Sequence, residues 1–131
     1  MDRYRRNAKA TSSLRYHLIW CPKYQRAVLT DAVEARLKTI IQEVTTELGI
    51  AVHTLEVLPD RVHLVVEADP VLCVAEIVNR IKGRSSRLLR EEFPALRSRL
   101  PTLWSRDYYA GSVGHVSDKA VQAYFEAQKG C

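Results

Sequence analysis

Two kinds of hydrophobic period alternate along this chain, and their order limits the folds that it can adopt. From Ser13 to Cys21 the side chains alternate between an apolar and aromatic set and a more polar set, which is typical of a strand with two different faces. Between Thr30 and Gly49 the apolar residues recur instead at a spacing of about 3.6 residues, which predicts an amphipathic helix. Thr30 is its predicted N-cap, and Gly49 is predicted to close it.

The same alternation continues to the end of the chain. Residues 51–58 and 62–68 are predicted as strands around a turn at 59–61, 71–93 as a helix that Pro94 ends, 103–113 as an extended segment, and 117–129 as a last helix. The order β-α-β-β-α-β-α matches the split βαβ, ferredoxin-like pattern with one added helix. We therefore predict an α+β fold in which an antiparallel sheet carries helices on one face, followed by a C-terminal helix.

The length of 131 residues predicts one domain over 1–131, because domains average about 150 residues. Residues 1–12 are polar and basic, and we expect them to be flexible. Three cysteines cannot all pair within one chain, so a secreted disulfide scaffold is not expected. Apolar runs stay well short of the roughly 20 residues that span a bilayer, and the first residues lack a signal-peptide core. We therefore expect a cytoplasmic protein without a membrane partner.

Charge is divided into blocks, although the net value is only +5. Residues 1–26 hold seven basic residues and one acidic residue, and residues 80–99 hold seven basic and two acidic. Residues 27–79 between them hold three basic and nine acidic. Two basic blocks around an acidic one favour a surface that binds a polyanion, although a solvated face would give the same pattern.

Two pairs of residues have the spacing that places both side chains on one face. Arg61 and His63 are two residues apart in a predicted strand, and Tyr124 and Gln128 are four apart in the predicted last helix. A lone strand histidine is more often a structural residue than a ligand, and a tyrosine with an amide one turn later is common on surface helices, so neither pair alone indicates a function.

A basic stripe lies on the predicted helix 71–93. Arg80, Arg84 and Arg87 share a helix face by their spacing, and Lys82 flanks it. We interpret these four residues as candidate DNA contacts, with a solvated face as the alternative.

Four blocks of sequence, in order, cover nearly the whole chain. They are YHLIWCPKYQRAVL (16–29), EVLPDRVHLVVEADP (56–70), IVNRIKGRSSRLLREEFP (77–94) and LWSRDYYAGSVGHVSDKAVQAYFEAQ (103–128). Together they resemble the small single-tyrosine HUH transposases of bacterial insertion sequences, the TnpA type with its REP-associated tyrosine transposase relatives.

The resemblance implies a DNA transposase that cuts and rejoins single-stranded DNA at hairpin-marked ends of an element. Tyr124 falls on the nucleophile, which forms a 5′-phosphotyrosine. A divalent cation, Mg²⁺ or Mn²⁺, is held in the family by two histidines of one strand and by the helix residue four after the tyrosine. His63 falls on the second histidine and Gln128 on the helix ligand. The family also implies a homodimer whose sheets join edge to edge.

Arg61 departs from the family pattern, because it stands where the first metal-binding histidine is expected. A guanidinium has no lone pair to donate, and at about 4 Å it would repel a divalent ion by about 8 kcal/mol at an effective dielectric of about 20. Three readings follow. The chain is a catalytically impaired or domesticated relative that binds hairpin DNA or RNA; or Arg61 contacts the scissile phosphate of the DNA itself; or a carboxylate, Asp60 or Glu67, supplies the missing ligand.

Overall fold

The computed structural model of the chain describes residues 14–69 and 72–112. Within them the elements follow in this order: β1 (Leu14–Trp20), a single 3₁₀ turn (Lys23–Gln25), α1 (Asp31–Leu48), β2 (Ala51–Leu58), β3 (Arg61–Ala68), α2 (Val74–Glu92), α3 (Pro94–Arg99) and β4 (Tyr109–Ser112). The segment predicted to be flexible at 1–12 and the helix predicted over 117–129 lie outside the described residues.

The strands form one antiparallel sheet in the order β2-β3-β1-β4. β2 and β3 form the hairpin predicted from the sequence, and each of the two central strands, β3 and β1, is paired on both sides. This order and the helices between the strands confirm the predicted α+β, ferredoxin-like arrangement.

Buried and partly buried side chains alternate along β3, so the sheet has two unlike faces. Val62, Leu64, Val66 and Ala68 are fully buried, whereas the residues between them are only partly buried. Helices α1 and α2 cover the buried face, where they contribute Leu37, Ile40, Ile41, Val44, Ile77, Val78, Ile81 and Leu89 to one hydrophobic cluster. The opposite face, which we call the open face, carries the remaining side chains of β3: Arg61, His63, Val65 and Glu67.

Helix boundaries follow the sequence signals with small shifts. Thr30 is the residue before α1, and α1 ends at Gly49 in the left-handed region (φ 70°), as predicted. α2 begins at Val74, three residues later than predicted. Pro94 ends α2 and at the same time opens α3, because proline is tolerated in the first turn of a helix, where its missing N–H needs no partner.

The extended segment predicted at 103–113 is mostly a loop that leads into the short strand β4. Trp104 anchors this loop: its ring packs edge-on against Trp20 with 6.0 Å between centroids, and its Nε1 donates a 2.9 Å hydrogen bond to Ser85 Oγ. Ser85 Oγ in turn donates to the Ile81 carbonyl at 2.6 Å. These contacts connect β1, α2 and the approach to β4, so they set where the chain enters its last described strand.

None of the helices in residues 14–69 and 72–112 combines the length and apolar character that a membrane crossing needs.

Replacing Ser85 with alanine tests this anchor. The change leaves the buried indole N–H of Trp104 without an acceptor, so we expect the free energy of unfolding in urea to fall by about 1–3 kcal/mol. Ser98→Ala is the matched control, because Ser98 is exposed and lies on α3; we expect it to change the value by no more than about 0.5 kcal/mol. Equal effects of the two variants would contradict a structural role for the Trp104–Ser85 contact.

Candidate active site

Two histidines from neighbouring strands meet on the open face. In the β1–β3 ladder His63 is opposite Ile19 and His17 is opposite Val65, so the two histidines are diagonal neighbours on the same face. Their rings are tilted by 51° with 5.3 Å between centroids, and His17 Nε2 lies 3.4 Å from His63 Nδ1. The centre of the open face therefore holds a pair of imidazoles.

Both imidazoles favour their neutral form. Burial lowers the pKa of His17. The pKa of His63 is lowered first by burial and then by the charges of His17 and Arg61, against smaller opposing effects of Glu56 and Asp60. Both shifts favour the uncharged form of the ring, in which one nitrogen keeps its lone pair.

Arg61 lies on the same face as His63, as its spacing predicted. Its Nη1 is 3.7 Å from Asp60 Oδ1, and Asp60 Oδ2 also accepts a 3.2 Å hydrogen bond from Gln25 Nε2. The acidic partner offsets part of the guanidinium charge beside His63. Asp60 is therefore engaged at the turn and is not placed as a substitute ligand.

Glu67 is engaged at the other end of the open face. Its Oε1 pairs with His53 Nε2 at 2.5 Å and with Arg15 Nε at 3.4 Å. Moreover, residues 14–69 and 72–112 contain no group of three His, Cys, Asp or Glu side chains that could hold a metal ion. Replacement of the missing histidine by Asp60 or Glu67 is thus not supported.

His17 is the site residue that the sequence reasoning missed. Alternation in β1 did place it on one face with Arg15 and Ile19, but a single strand cannot indicate which strand will pair with it. The β1–β3 register supplies that information and brings His17 to His63.

The basic residues of α2 lie on the other side of the sheet from His63. Arg84 forms a bidentate ion pair with Glu47 of α1, at 2.7 Å for both nitrogen–oxygen distances. Arg80 is 3.7 Å from Glu76, and Arg87 forms no ion pair within the described residues. Arg80 and Arg87 are therefore more available than Arg84 among the predicted DNA contacts of α2.

Lys82 stabilises the loop before β4 and does not face the solvent as a DNA contact would. Its Nζ donates to the Ser105 carbonyl at 2.7 Å and lies 3.4 Å from the carbonyl oxygens of Arg106 and Asp107. Burial lowers its pKa, with Asp107 acting in the opposite direction. The ammonium group thus holds the loop that leads from Trp104 to β4.

Tyr124 and Gln128 lie outside the described residues. The described chain ends at Ser112 in β4, which pairs with β1 so that Gly111 is opposite His17. The segment that carries Tyr124 therefore continues from the strand next to the one that holds His17.

Comparison with known proteins gives a consistent result over nearly the whole chain. A family model described as IS200-like transposase matches residues 10–128. The chain is 37% identical over 117 residues to the ISDra2 transposase TnpA of Deinococcus radiodurans, which covers 88% of this chain and 84% of that protein. It is 27% identical over 116 residues to the transposase for insertion sequence element IS200 of Salmonella typhimurium, with 87% of this chain and 76% of that protein covered.

Solved structures agree with the fold. A crystal structure assigned to a transposase from Deinococcus radiodurans superimposes with a TM-score of 0.81 at 36% identity, covering 89% of this chain and 92% of that one. A REP-associated tyrosine transposase bound to a REP hairpin superimposes with a TM-score of 0.58 at 12% identity, covering 85% of this chain and 61% of that one. The second similarity concerns the fold alone.

Lys82→Gln and Arg87→Gln separate a structural cation from a DNA contact. We expect Lys82→Gln to lower the free energy of unfolding by about 1.5–3 kcal/mol, because it removes charge-assisted hydrogen bonds to the loop. Arg87→Gln should leave that value within about 0.5 kcal/mol and instead weaken binding of single-stranded hairpin DNA, with a log–log salt slope shallower by about 0.7 for each lost phosphate contact. The opposite assignment of the two effects would contradict this division.

Proposed function

Because the chain belongs to the IS200-like transposase family, we propose that it cuts and rejoins single-stranded DNA at hairpin-marked ends of a mobile element, with Tyr124 as the nucleophile. The observation that carries the proposal is the open face of the sheet: two imidazoles and a guanidinium lie together there on β1 and β3, and β1 pairs with β4, from which the chain continues towards Tyr124. Such a face suits a phosphodiester, which needs cationic and hydrogen-bonding groups.

Chain length allows Tyr124 to reach this face. Tyr124 follows Ser112 by twelve positions. Five extended steps at about 3.3–3.6 Å, followed by seven steps in the predicted helix at about 1.5 Å, span up to about 28 Å. That reach is compatible with the site of the same chain, because Ser112 lies in β4 beside β1. Gln128 would then follow Tyr124 on one helix face.

The reaction conserves the energy of the phosphodiester. Tyr124 Oη attacks phosphorus, the phenol loses its proton, the new oxygen–phosphorus bond forms, and the bond to the 3′ oxygen breaks to leave a 3′-hydroxyl. The reverse attack by a 3′-hydroxyl releases the tyrosine and rejoins a strand. Arg61 is suited to bind a phosphate oxygen, because its guanidinium lies on the open face. A divalent ion, Mg²⁺ or Mn²⁺, would neutralise charge on the phosphate when bound, held by His63 and Gln128.

Hairpin DNA is the proposed partner. One structural neighbour is a REP-associated tyrosine transposase bound to a REP hairpin, and Arg80 and Arg87 present positive charge on α2. Since α2 and His63 lie on opposite sides of the sheet, DNA that contacts both would have to pass around a sheet edge. We propose that the arginines hold the DNA backbone away from the reacting phosphate.

We also propose the homodimer that the resemblance implies. β4 is a terminal strand of the four-stranded sheet formed by the described residues, and it has only four residues, Tyr109–Ser112. A second copy paired along this edge would satisfy its outward backbone groups.

Tyr124→Phe tests the nucleophile. Incubation of the protein with single-stranded hairpin DNA and Mn²⁺ should give a covalent protein–DNA adduct on a denaturing gel, and the variant should give none because it lacks the hydroxyl. Tyr24→Phe is the matched control, since Tyr24 is 47% exposed on the 3₁₀ turn, and we expect its adduct yield to be unchanged. An adduct formed in full by Tyr124→Phe would refute the assignment.

A second candidate function is favoured by Arg61 alone: a relative that binds hairpin DNA or RNA and cuts poorly. A guanidinium near His63 opposes any cation at that place. Both candidates share the fold and the basic helix, so binding does not separate them, whereas the rate of adduct formation does.

Arg61→His measures the cost of this guanidinium. The change removes a positive charge and adds an imidazole to the face of His63, so we expect the rate of adduct formation with Mn²⁺ to rise by at least about tenfold while hairpin affinity stays equal or falls slightly. Arg15→His is the matched control, because Arg15 lies on the same face beside Glu67, and it should leave the rate unchanged. A variant that binds hairpin and metal yet stays inert would place the defect elsewhere.

A further inference from the structure

We infer that the junction of α2 and α3 binds the phosphate backbone of the paired stem of a DNA hairpin. Three guanidiniums form this surface, which we call the α2–α3 corner: those of Arg87 and Arg90 of α2 and that of Arg97 of α3. The inference rests on the hairpin partner proposed above and assigns a surface to it. Because Arg97 belongs to a second helix, the corner is not contained in the basic stripe read along α2.

Hydrogen bonds to the backbone gather the three arginines at the end of α2. Pro94 begins α3 just after the end of α2, and Arg97 reaches back to α2, where its Nη2 donates a 3.2 Å hydrogen bond to the carbonyl oxygen of Arg90. Arg90 Nη2 donates to the carbonyl oxygen of Leu100 at 3.4 Å, and Arg87 precedes Arg90 by about one helical turn. The negative end of the helix dipole favours cations at this place.

The corner differs from the rest of α2 in its acidic partners. Arg80 and Arg84 are paired with Glu76 and Glu47. The three arginines of the corner form no ion pair within the part of the chain that the structure describes, although Glu91 lies one turn after the first of them. Cations gathered without acidic partners repel one another, and a polyanion removes that repulsion. The corner is therefore better suited to bind phosphate than the middle of α2.

The guanidiniums of the corner keep hydrogen-bond donors for a ligand. Each guanidinium has five N–H donors, and the carbonyl contacts engage one nitrogen each of Arg90 and Arg97. Arg90 Nε is buried and has no hydrogen-bond partner among the described residues, which is rare for a buried polar group. Arg87 and Arg97 are exposed. Such groups suit phosphate oxygens, which accept two parallel hydrogen bonds from one guanidinium.

The position of the corner favours the paired stem over the strand that is cut. The reacting phosphate has to lie on the open face, whereas α2 and α3 lie on the other side of the sheet. The part of a hairpin substrate that reaches the corner is therefore remote from the cut. A duplex carries about one charge per 1.7 Å of its axis and a single strand about one per 3.4 Å, so three neighbouring cations match the duplex better.

Arg97→Gln tests the inference in the full chain. Fluorescence anisotropy without Mn²⁺ measures binding of a hairpin alone, so cleavage does not contribute. We expect hairpin affinity to fall by about three- to tenfold and the log–log salt slope to become shallower by about 0.9, because one charged phosphate contact is lost. Arg99→Gln is the matched control: Arg99 is an exposed arginine of the same helix, on its other flank, and its replacement should leave the affinity within about twofold. Equal losses in the two variants would show a general effect of charge and would overturn the corner.

Two further comparisons separate the alternatives. Oligothymidylate of the same length forms no stem, so Arg97→Gln should change its affinity by less than about twofold, and an equal loss for both DNAs would overturn the assignment to the stem. Arg97→Lys keeps the charge and should keep the salt slope of the unaltered chain. A slope that falls in Arg97→Lys as far as in Arg97→Gln would mean that the side chain acts on the structure of the corner and not on phosphate.

Failure of the inference can be told apart from failure of the proposed function. Unchanged hairpin affinity of Arg97→Gln would overturn the corner even where the Tyr124 adduct forms. The expected loss, confined to the hairpin and to Arg97, would support the corner even where no adduct forms, and in that case the proposed strand-transfer function would fail alone.

Discussion

Pairing between β1 and β3 is the constraint on which the other features of this protein depend. It sets Leu18 against Leu64 on the face that the helices cover, and it brings His17 next to His63 on the open face. Because side chains alternate with a period of two, a shift of β1 by one residue against β3 would turn His17 into the core and expose Leu18. The hydrophobic core and the candidate active site are thus fixed by one register, and the burial of the core holds the histidines in place.

The histidine pair and most of the basic residues of α2 lie on opposite sides of the sheet. Burial favours the neutral form of the central imidazoles of the open face, and the charge of the Arg61 guanidinium beside them is partly offset by Asp60. Most of the basic block at residues 80–99 lies on the helix layer behind the sheet, where Arg84 is already paired with Glu47. The basic residues of one helix therefore have two roles. Lys82 stabilises the fold through hydrogen bonds to the loop carbonyls, whereas Arg87 is available to bind a polyanion.

Membership of the IS200-like transposase family explains why Arg61 matters. In most folds an arginine on a solvent-facing strand would need no comment, but the resemblance implies a metal-binding histidine at this position. Glu67 is no substitute, because it lies four residues along β3 from His63 and pairs with His53.

Within the described residues, and apart from the short α3, the sequence by itself determined the order of strands and helices, the end of α1 at Gly49, the two-faced character of β3 and the family, because each depends on local periodicity, on a backbone preference or on a string of residues in order. It could not indicate that His17 meets His63, that Lys82 is tied to the loop before β4, or that Trp104 hydrogen bonds to Ser85. These contacts join residues that are far apart in the chain. Only the tertiary structure decided them, since strand register and helix packing bring such residues together and no local pattern records the partner.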